Sequence, residues 1–182
     1  MNCFPIFIPS AVNQNHYIGM CKQVLWPAFH NIDLLDLSTS GYGNLTDPES
    51  SPPNHRPKDA PSTWDQARIQ KSWWEAYKDV NQMFLTEIRK HLQPDDTAWV
   101  HDYHLALLPK LLEDLQMKEV GKRTTNTVFF LHIPFPTSQI FRELECGESI
   151  LEGILAADVV GFHTFDYARH FLNACKRIMG LR

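Results

Sequence analysis

No stretch of the 182 residues stays apolar for the ~20 positions that a membrane-spanning helix requires, so no bilayer contact is expected. Positive charge is not in excess: 17 Lys and Arg face 21 Asp and Glu, for a formal charge of -4. That balance offers no broad basic field and argues against nucleic acid or an anionic membrane as a partner. Cysteine is sparse. Cys3, Cys21, Cys146 and Cys175 are far apart and include no Cys-x-x-Cys pair, which predicts reduced, mostly buried thiols instead of a disulfide framework or a zinc site. Glycine is scarce too, 8 residues in all, and neither Gly19 nor Gly41-Tyr42-Gly43 builds a dinucleotide fingerprint or a P-loop. No Ser-His-Asp or Cys-His catalytic order can be assigned. Met1 to Ser10 is apolar but holds Pro5 and Pro9 and no basic start, unlike a secretory leader, so the expected location is cytoplasmic. The match of Asn44-Leu45-Thr46 to a glycosylation acceptor carries no weight in that setting.

What the sequence does contain is globular: 43% hydrophobic and 21% charged residues, in a length that suits one core. Phe4 to Ile8, apolar between prolines, predicts a buried strand. Residues 32–62 change to Ser, Gly, Asn, Asp and Pro, with Pro48, Pro52, Pro53, Pro57 and Pro61 interrupting any regular element, and read as a loop insertion. Trp73, Tyr77, Val80, Phe84 and Ile88 then recur at helical spacing. Thr97 to His101 reads as a strand. Leu105, Leu108, Leu112 and Leu115 form the stripe of a following helix, in which Pro109 marks either a kink or the first turn. Thr127 to Leu131 is the next strand. Glu148 to Ala156 is helical, and Asp158 to Gly161, with Val159 and Val160 at its centre, predicts a parallel strand buried on both faces. Ala168, Phe171, Leu172, Cys175, Ile178 and Met179 make the apolar stripe of a last helix. This alternation predicts an α/β fold, a three-layer Rossmann-like domain with a mostly parallel sheet.

In such a sheet, ligands gather beyond the C-terminal strand ends. Three polar clusters stand there: His101-Asp102-Tyr103-His104, His132-Ile133-Pro134-Phe135-Pro136 and His163-Thr164. Four of the 9 His residues fall in them, which points to one shared cleft. Asp102 suits the cap of the following helix, and equally an acceptor of hydrogen bonds from sugar hydroxyls or a group that helps remove an acceptor proton. His101 and His104 flank it without the third ligand that zinc needs. His132 precedes Pro134 and Pro136, whose fixed φ stiffens the loop for either a site or a structural turn. Arg142 offers a planar fork to phosphate, or a partner to Glu145 or Glu148. Trp74 lies off the Trp73 stripe, beside Lys78 and Asn81, where its ring can stack on a sugar or pack against a neighbouring loop.

Four segments in series, Leu25-Trp26-Pro27-Ala28-Phe29-His30, Trp99-Val100-His101-Asp102-Tyr103-His104, Phe130-Leu131-His132-Ile133-Pro134-Phe135-Pro136 and Gly161-Phe162-His163-Thr164-Phe165-Asp166-Tyr167-Ala168-Arg169-His170-Phe171, resemble the trehalose-6-phosphate synthase family in wording and order. The resemblance spans nearly the whole chain outside the insertion, but only the later part of that family's N-terminal domain. It implies a GT-B glycosyltransferase, two Rossmann-like domains facing across a cleft. Residues 1–182 would be a partial N-terminal, acceptor-side domain, with the loop insertion at 32–62 and the C-terminal donor domain outside them. The implied reaction transfers glucose from UDP-glucose to glucose 6-phosphate with retention, giving trehalose 6-phosphate and UDP, with no bound metal or other cofactor. Asp102 is implied on the acceptor sugar, Trp74 beside it, and His132 near the transferred glucose and the reacting centre. Asn31 stands where the family carries Tyr after Trp-Pro-x-Phe-His, a shorter amide in place of a phenol near the acceptor phosphate. A homo-oligomer or a trehalose-synthesis complex is the implied assembly.

Two other readings stay open. One is a different sugar-nucleotide transferase of the same architecture, of glycogen or sucrose-phosphate type, against which the Trp-Pro-x-Phe-His and His-Asp-Tyr-His segments speak. The other is a non-catalytic sugar-phosphate-binding or regulatory fragment of the same family, which Asn31 and the insertion favour. Because the resemblance supplies acceptor-side groups but neither a glycine loop nor donor-domain segments, the 182 residues alone are expected to form no trehalose 6-phosphate. Incubation with UDP-glucose and glucose 6-phosphate, read by UDP release and mass spectrometry, checks this. Sustained formation of both products, abolished by Asp102→Asn, would overturn it.

Overall fold

The computed structural model describes residues 3–31 and 63–181, and the insertion expected at 32–62 lies outside them. Residues 3–9 are irregular, not the strand expected at Phe4 to Ile8. Phe7 is exposed and Phe4 stacks on the His91 ring, while Pro5 and Pro9 have no N–H to contribute to a ladder. Residues 10–29 form one continuous helical stretch, α1, made of Ser10–Asn13, a π-helical Gln14–Leu25 and Trp26–Phe29. Its inward residues His16, Met20, Cys21 and Leu25 are spaced by the wider advance of i→i+5 bonding, so no regular 3.6-residue stripe announces it. Helix α2, Thr63–Ile88, lies along α1. A Cβ on Gly19 would sit 2.6 Å from the Trp73 ring, so only glycine lets the two helices come this close. Tyr77 and Val80 are fully buried and Phe84 and Ile88 partly, as the stripe predicts.

Strands β1 (Thr97–His101), β2 (Asn126–Leu131) and β3 (Val159–Phe162) form a parallel sheet in the order β1-β2-β3. Its register aligns Val100 with Phe129 and Phe129 with Val160, so these three share one face, while His101, Phe130 and Gly161 share the other. On the first face Val100, Phe129 and Leu131 join one core with Leu108 and Leu112 of α3 (Leu108–Val120). The short α4 (Ser138–Phe141) and α5 (Gly147–Leu155) follow, and Ile150, Leu151 and Ile154 of α5 complete that core. On the other face Trp99 is 62% and Val159 57% exposed. The expectation that β3 is buried on both faces therefore fails: among the described residues it is an edge strand, and Val159 points to the open face.

Pro109 occupies the first turn of α3, where its missing N–H has no partner to lose, so it marks a start and not a kink. In α6, Phe165–Ile178, the residues Phe171, Ala174 and Cys175 are buried while Leu172 is exposed. One helical step of ~100° turns Leu172 away from Phe171, and Ala174 takes the inward place expected for it. Phe135, just past β2, ties these helices to the sheet end: Phe29 meets it edge-on at 5.6 Å, Phe141 stacks at 5.0 Å and Phe171 meets it edge-on at 5.3 Å. All four thiols are free, and burial pushes Cys21 and Cys146 up to about 12, far from a reactive thiolate. No described helix is long and apolar enough to cross a membrane.

Behind the sheet end, α1 and α2 enclose two histidines. Burial lowers the pKa of both His16 and His104 from 6.5. The bond of His16 to the His104 carbonyl and the Asp102 carboxylate beside His104 oppose this without reversing it. As pH falls through 6.5 the unfolded chain binds protons that the folded chain resists, so stability is present above that value and is lost below it. The melting temperature should thus drop between about pH 7.5 and about pH 5.5, and the drop should be smaller in His16→Asn. Thermal unfolding followed by circular dichroism at both pH values checks this; an equal drop in the two proteins would remove His16 from the account.

Candidate functional site

The site is assembled where β1 and β2 end. The Asp102 amide donates to the Phe130 carbonyl at 2.8 Å, which extends the ladder one step past His101. Its carboxylate Oδ1 accepts from the Tyr103 amide at 3.0 Å and from the His132 amide at 3.3 Å. The capping reading of Asp102 therefore holds, since it caps the 3-10 turn Tyr103–Leu105. One oxygen does this work, and neither bond uses Oδ2. The backbone of Asp102 has φ 68° and ψ 169°, a region populated almost only by glycine that costs on the order of 1–3 kcal/mol for other residues. Its neighbours in sequence go to opposite sides of the strand end. His101 lies on the open face and points toward His132, with Nδ1 and Nε2 of the two rings 3.0 Å apart.

The three strand ends thus bring their histidines together on the open face of the sheet. His163, following β3, meets His132 edge-on with ring centroids 5.5 Å apart. Phe130 lies under both, 4.7 Å from His132 and 5.1 Å from His163. It can tilt there because Gly161 is bare: a Cβ on Gly161 would come within 2.5 Å of the Phe130 ring. His104 does not join them. It is half-buried, packed on Tyr103 at 4.0 Å and on Tyr17 at 5.8 Å, and its carbonyl accepts from His16 and Asn81. Among the described residues no three His, Cys, Asp or Glu side chains are grouped to hold a metal ion.

Trp74 is half-buried and stacks on Tyr77, centroids 5.4 Å apart, so part of its surface is core and part is open. Tyr77 connects it to the strand end. Its hydroxyl donates to the Tyr103 carbonyl and accepts from the Ala106 amide, fixing the turn that Asp102 caps. That link was not read from the sequence, where Tyr77 is one more member of an apolar stripe; a phenol on a fully buried stripe is the available signal, because its hydroxyl must find a partner. Asn31, two residues past the end of α1, has a left-handed φ of 58°, and its Oδ1 accepts from the Thr137 amide at 3.0 Å. It thereby ties α1 to the loop that starts at His132. Asn tolerates this backbone far better than a bulky aromatic does. Arg142 is exposed, and none of the ion pairs among the described residues joins it to Glu145 or Glu148.

Residues 55–182 match the description of Glycosyltransferase family 20. Across 182 residues the chain is 38% identical to an alpha,alpha-trehalose-phosphate synthase [UDP-forming] of Aspergillus niger, covering 99% of this chain and 28% of that relative. Among solved structures it is similar to the N-terminal domain of a Candida albicans trehalose-6-phosphate phosphatase, with a TM-score of 0.67 and 30% identity over 93% of this chain and 29% of that one. An E. coli protein bound with UDP-2-fluoro glucose gives a TM-score of 0.66 and 27% identity over 94% of this chain and 30% of that one. The chain thus spans 28% of the length of the Aspergillus relative it matches.

The strain at Asp102 yields an expected order of stabilities. Asp102→Ala keeps the unfavourable backbone and loses the acceptor for two amides, whereas Asp102→Gly loses the acceptor but removes the strain. The glycine variant should be the more stable of the two by about 1–3 kcal/mol. Urea unfolding of both variants measures the difference, and an alanine variant as stable as the glycine one would refute a strained Asp102.

Proposed function

We propose a function for this chain from one premise: it belongs to glycosyltransferase family 20. Its strand-end cleft is the acceptor side of a retaining transferase that joins glucose from UDP-glucose to glucose 6-phosphate, giving trehalose 6-phosphate and UDP. The observation that carries this reading is the pairing of Asp102 and His132 at adjoining strand ends through the 3.3 Å bond from the His132 amide to Oδ1. A carboxylate oriented by two backbone amides keeps Oδ2 for ligand hydroxyls, and a fixed acceptor of that kind holds a sugar in one orientation. Trp74 supplies an aromatic wall for the acceptor, and Asn31, with Oδ1 committed to Thr137, has its amide N–H groups for the phosphate end. His132 faces the transferred glucose.

In this reading Asp102 and His132 orient the sugars and stabilise developing charge, and neither is assigned as a covalent nucleophile. The departing diphosphate takes the acceptor proton on the face that it leaves, which gives retention. Groups for the diphosphate and uridine belong to segments that family members carry beyond this one, and no metal or other cofactor is assigned to the reaction. A cytoplasmic location, supported by the four free thiols, and assembly into a homo-oligomer or a trehalose-synthesis complex complete the proposal. A second reading, a non-catalytic sugar-phosphate-binding unit, draws support from the likeness to the N-terminal domain of a phosphatase and from the commitment of Asn31.

Asp102→Asn separates the two. In a polypeptide of the relatives' full length that carries this segment, the amide fills the same space but loses the charge-assisted bond. Such a bond contributes ~1.5–3 kcal/mol, so turnover should fall about ten- to a hundredfold with a nearly unchanged melting temperature. Steady-state rates with UDP-glucose and glucose 6-phosphate give the answer. A loss below about threefold would sink the role of Asp102, and absence of turnover in the unsubstituted protein, with glucose 6-phosphate binding retained, would favour the non-catalytic reading.

A further inference from the structure

We propose that His101 is a positioning residue that selects the tautomer of His132, and so decides which atom of His132 meets the sugar. The proposal rests on the reading above for the role of His132, but its geometry stands apart from that role. His101 Nδ1 and His132 Nε2 are 3.0 Å apart, a hydrogen-bond distance between two atoms that can each be donor or acceptor. A bond there requires one nitrogen to carry the proton and the other to be bare, so the pair couples the tautomers of both rings.

Of the two arrangements, one has His132 donating through Nε2–H to a bare His101 Nδ1. Both neutral rings then carry their proton on Nε2, the site that a free histidine side chain prefers because Nδ1 lies closer to its own backbone. The reverse arrangement forces both protons onto Nδ1. The intrinsic preference of both rings thus favours the first, and it leaves His132 Nδ1 bare, as an acceptor for a hydroxyl hydrogen.

Neither ring is left to turn freely. His101 stacks on Trp99 with centroids 5.0 Å apart and an interplanar angle of 30°. His132 is held by Phe130 at 4.7 Å and by His163 edge-on at 5.5 Å. The backbones beneath are fixed relative to each other as well, by the Asp102 amide on the Phe130 carbonyl and the His132 amide on Asp102. Both rings are exposed, but the relative placement of the two nitrogens is set by these ring contacts and by the backbone of the sheet end. A bare Nδ1 held in place accepts from one hydroxyl; a ring that flips between tautomers offers a donor half the time and loses that selectivity.

Long-range proton–nitrogen NMR of the chain with labelled histidine, at about pH 8 where ordinary histidines are neutral, tests the idea directly. The expected spectrum shows His132 as a single tautomer, with a protonated Nε2, a bare Nδ1 and a slowly exchanging Nε2–H. His101→Asn, whose amide oxygen can take the place of Nδ1, should preserve that slow exchange. His101→Phe, which keeps the stack on Trp99 but offers no acceptor, should lose it. A mixture of tautomers for His132 in the unsubstituted chain overturns the proposal whether or not the variants fold, and so does equal exchange in all three proteins. In a polypeptide of the relatives' full length, His101→Phe should lower kcat several-fold, His101→Asn should restore most of it, and His101→Phe should cost nothing further once His132→Ala is present. If His132→Ala leaves turnover unchanged while the NMR signature holds, the assigned role of His132 fails and the tautomer coupling stands.

Discussion

At the C-terminal end of the sheet, the Asp102 amide donates to the Phe130 carbonyl while the Asp102 carboxylate takes the His132 amide. Strands β1 and β2 are thus joined by one backbone and one side-chain bond beyond their last ladder pair. What the sheet end presents hangs on this joint. It sets the separation of His101 and His132, it uses one carboxylate oxygen for both amides, and it turns the chain sharply into the Tyr103–Leu105 turn. The turn demands a backbone that L-residues avoid, so the fold holds a carboxylate where glycine would be easier. A position that is locally unfavourable and still acidic is explained by what the carboxylate does.

Such strain persists only where the surroundings hold the segment firmly. Tyr77 does so from behind, its hydroxyl bonded to the backbone on both sides of the turn, at Tyr103 and Ala106. Asn81 adds a bond to the His104 carbonyl. From the other flank the aromatic contacts of Phe135 anchor the loop after His132 to α1, α4 and α6, and Asn31 fastens that loop again at Thr137. The layer behind the site includes the buried polar residues His16 and Asn81. Among the described residues, His16 Nδ1, Asn81 Oδ1 and the Tyr103 hydroxyl are buried with no hydrogen-bond partner, and each such group costs about 1–3 kcal/mol. Stability is thus concentrated in the apolar core, while the sheet end carries strain and unsatisfied groups, the distribution expected around a site.

Much of the framework was legible in the residues. The stripes Tyr77–Val80–Phe84 and Leu108–Leu112, and the β-rich Thr127 to Leu131, lie where the periodicity puts them, because burial on one side of a helix or strand imposes a period that composition reveals. The gathering of Asp102, His101, His132 and His163 was legible as well, since the ends of successive parallel strands must lie side by side. The errors have physical causes too. Phe4 to Ile8 has the composition of a buried strand but, among the described residues, is irregular and joins no sheet. Val159 looked like a central residue but stands at an edge. Helix α1 escaped notice because its π-helical middle shifts the apolar spacing away from the period that marks an ordinary helix.

The sequence by itself determined the order of strands and helices from the Trp73 stripe onward, much of the core, the family and the set of polar groups at the strand ends. These depend on local spacing and on wording, both of which a linear string carries. Tertiary structure alone decided how those groups meet: which Asp102 oxygen is occupied, that His104 turns inward while His101 turns out, that Asn31 serves Thr137, and that two imidazole nitrogens come within hydrogen-bond distance. Each of these joins residues distant in the chain, Asn31 with Thr137 and His101 with His132, through strand register and helix packing. A change of one residue in register would send the same side chains to the opposite face, so no local pattern could have specified them.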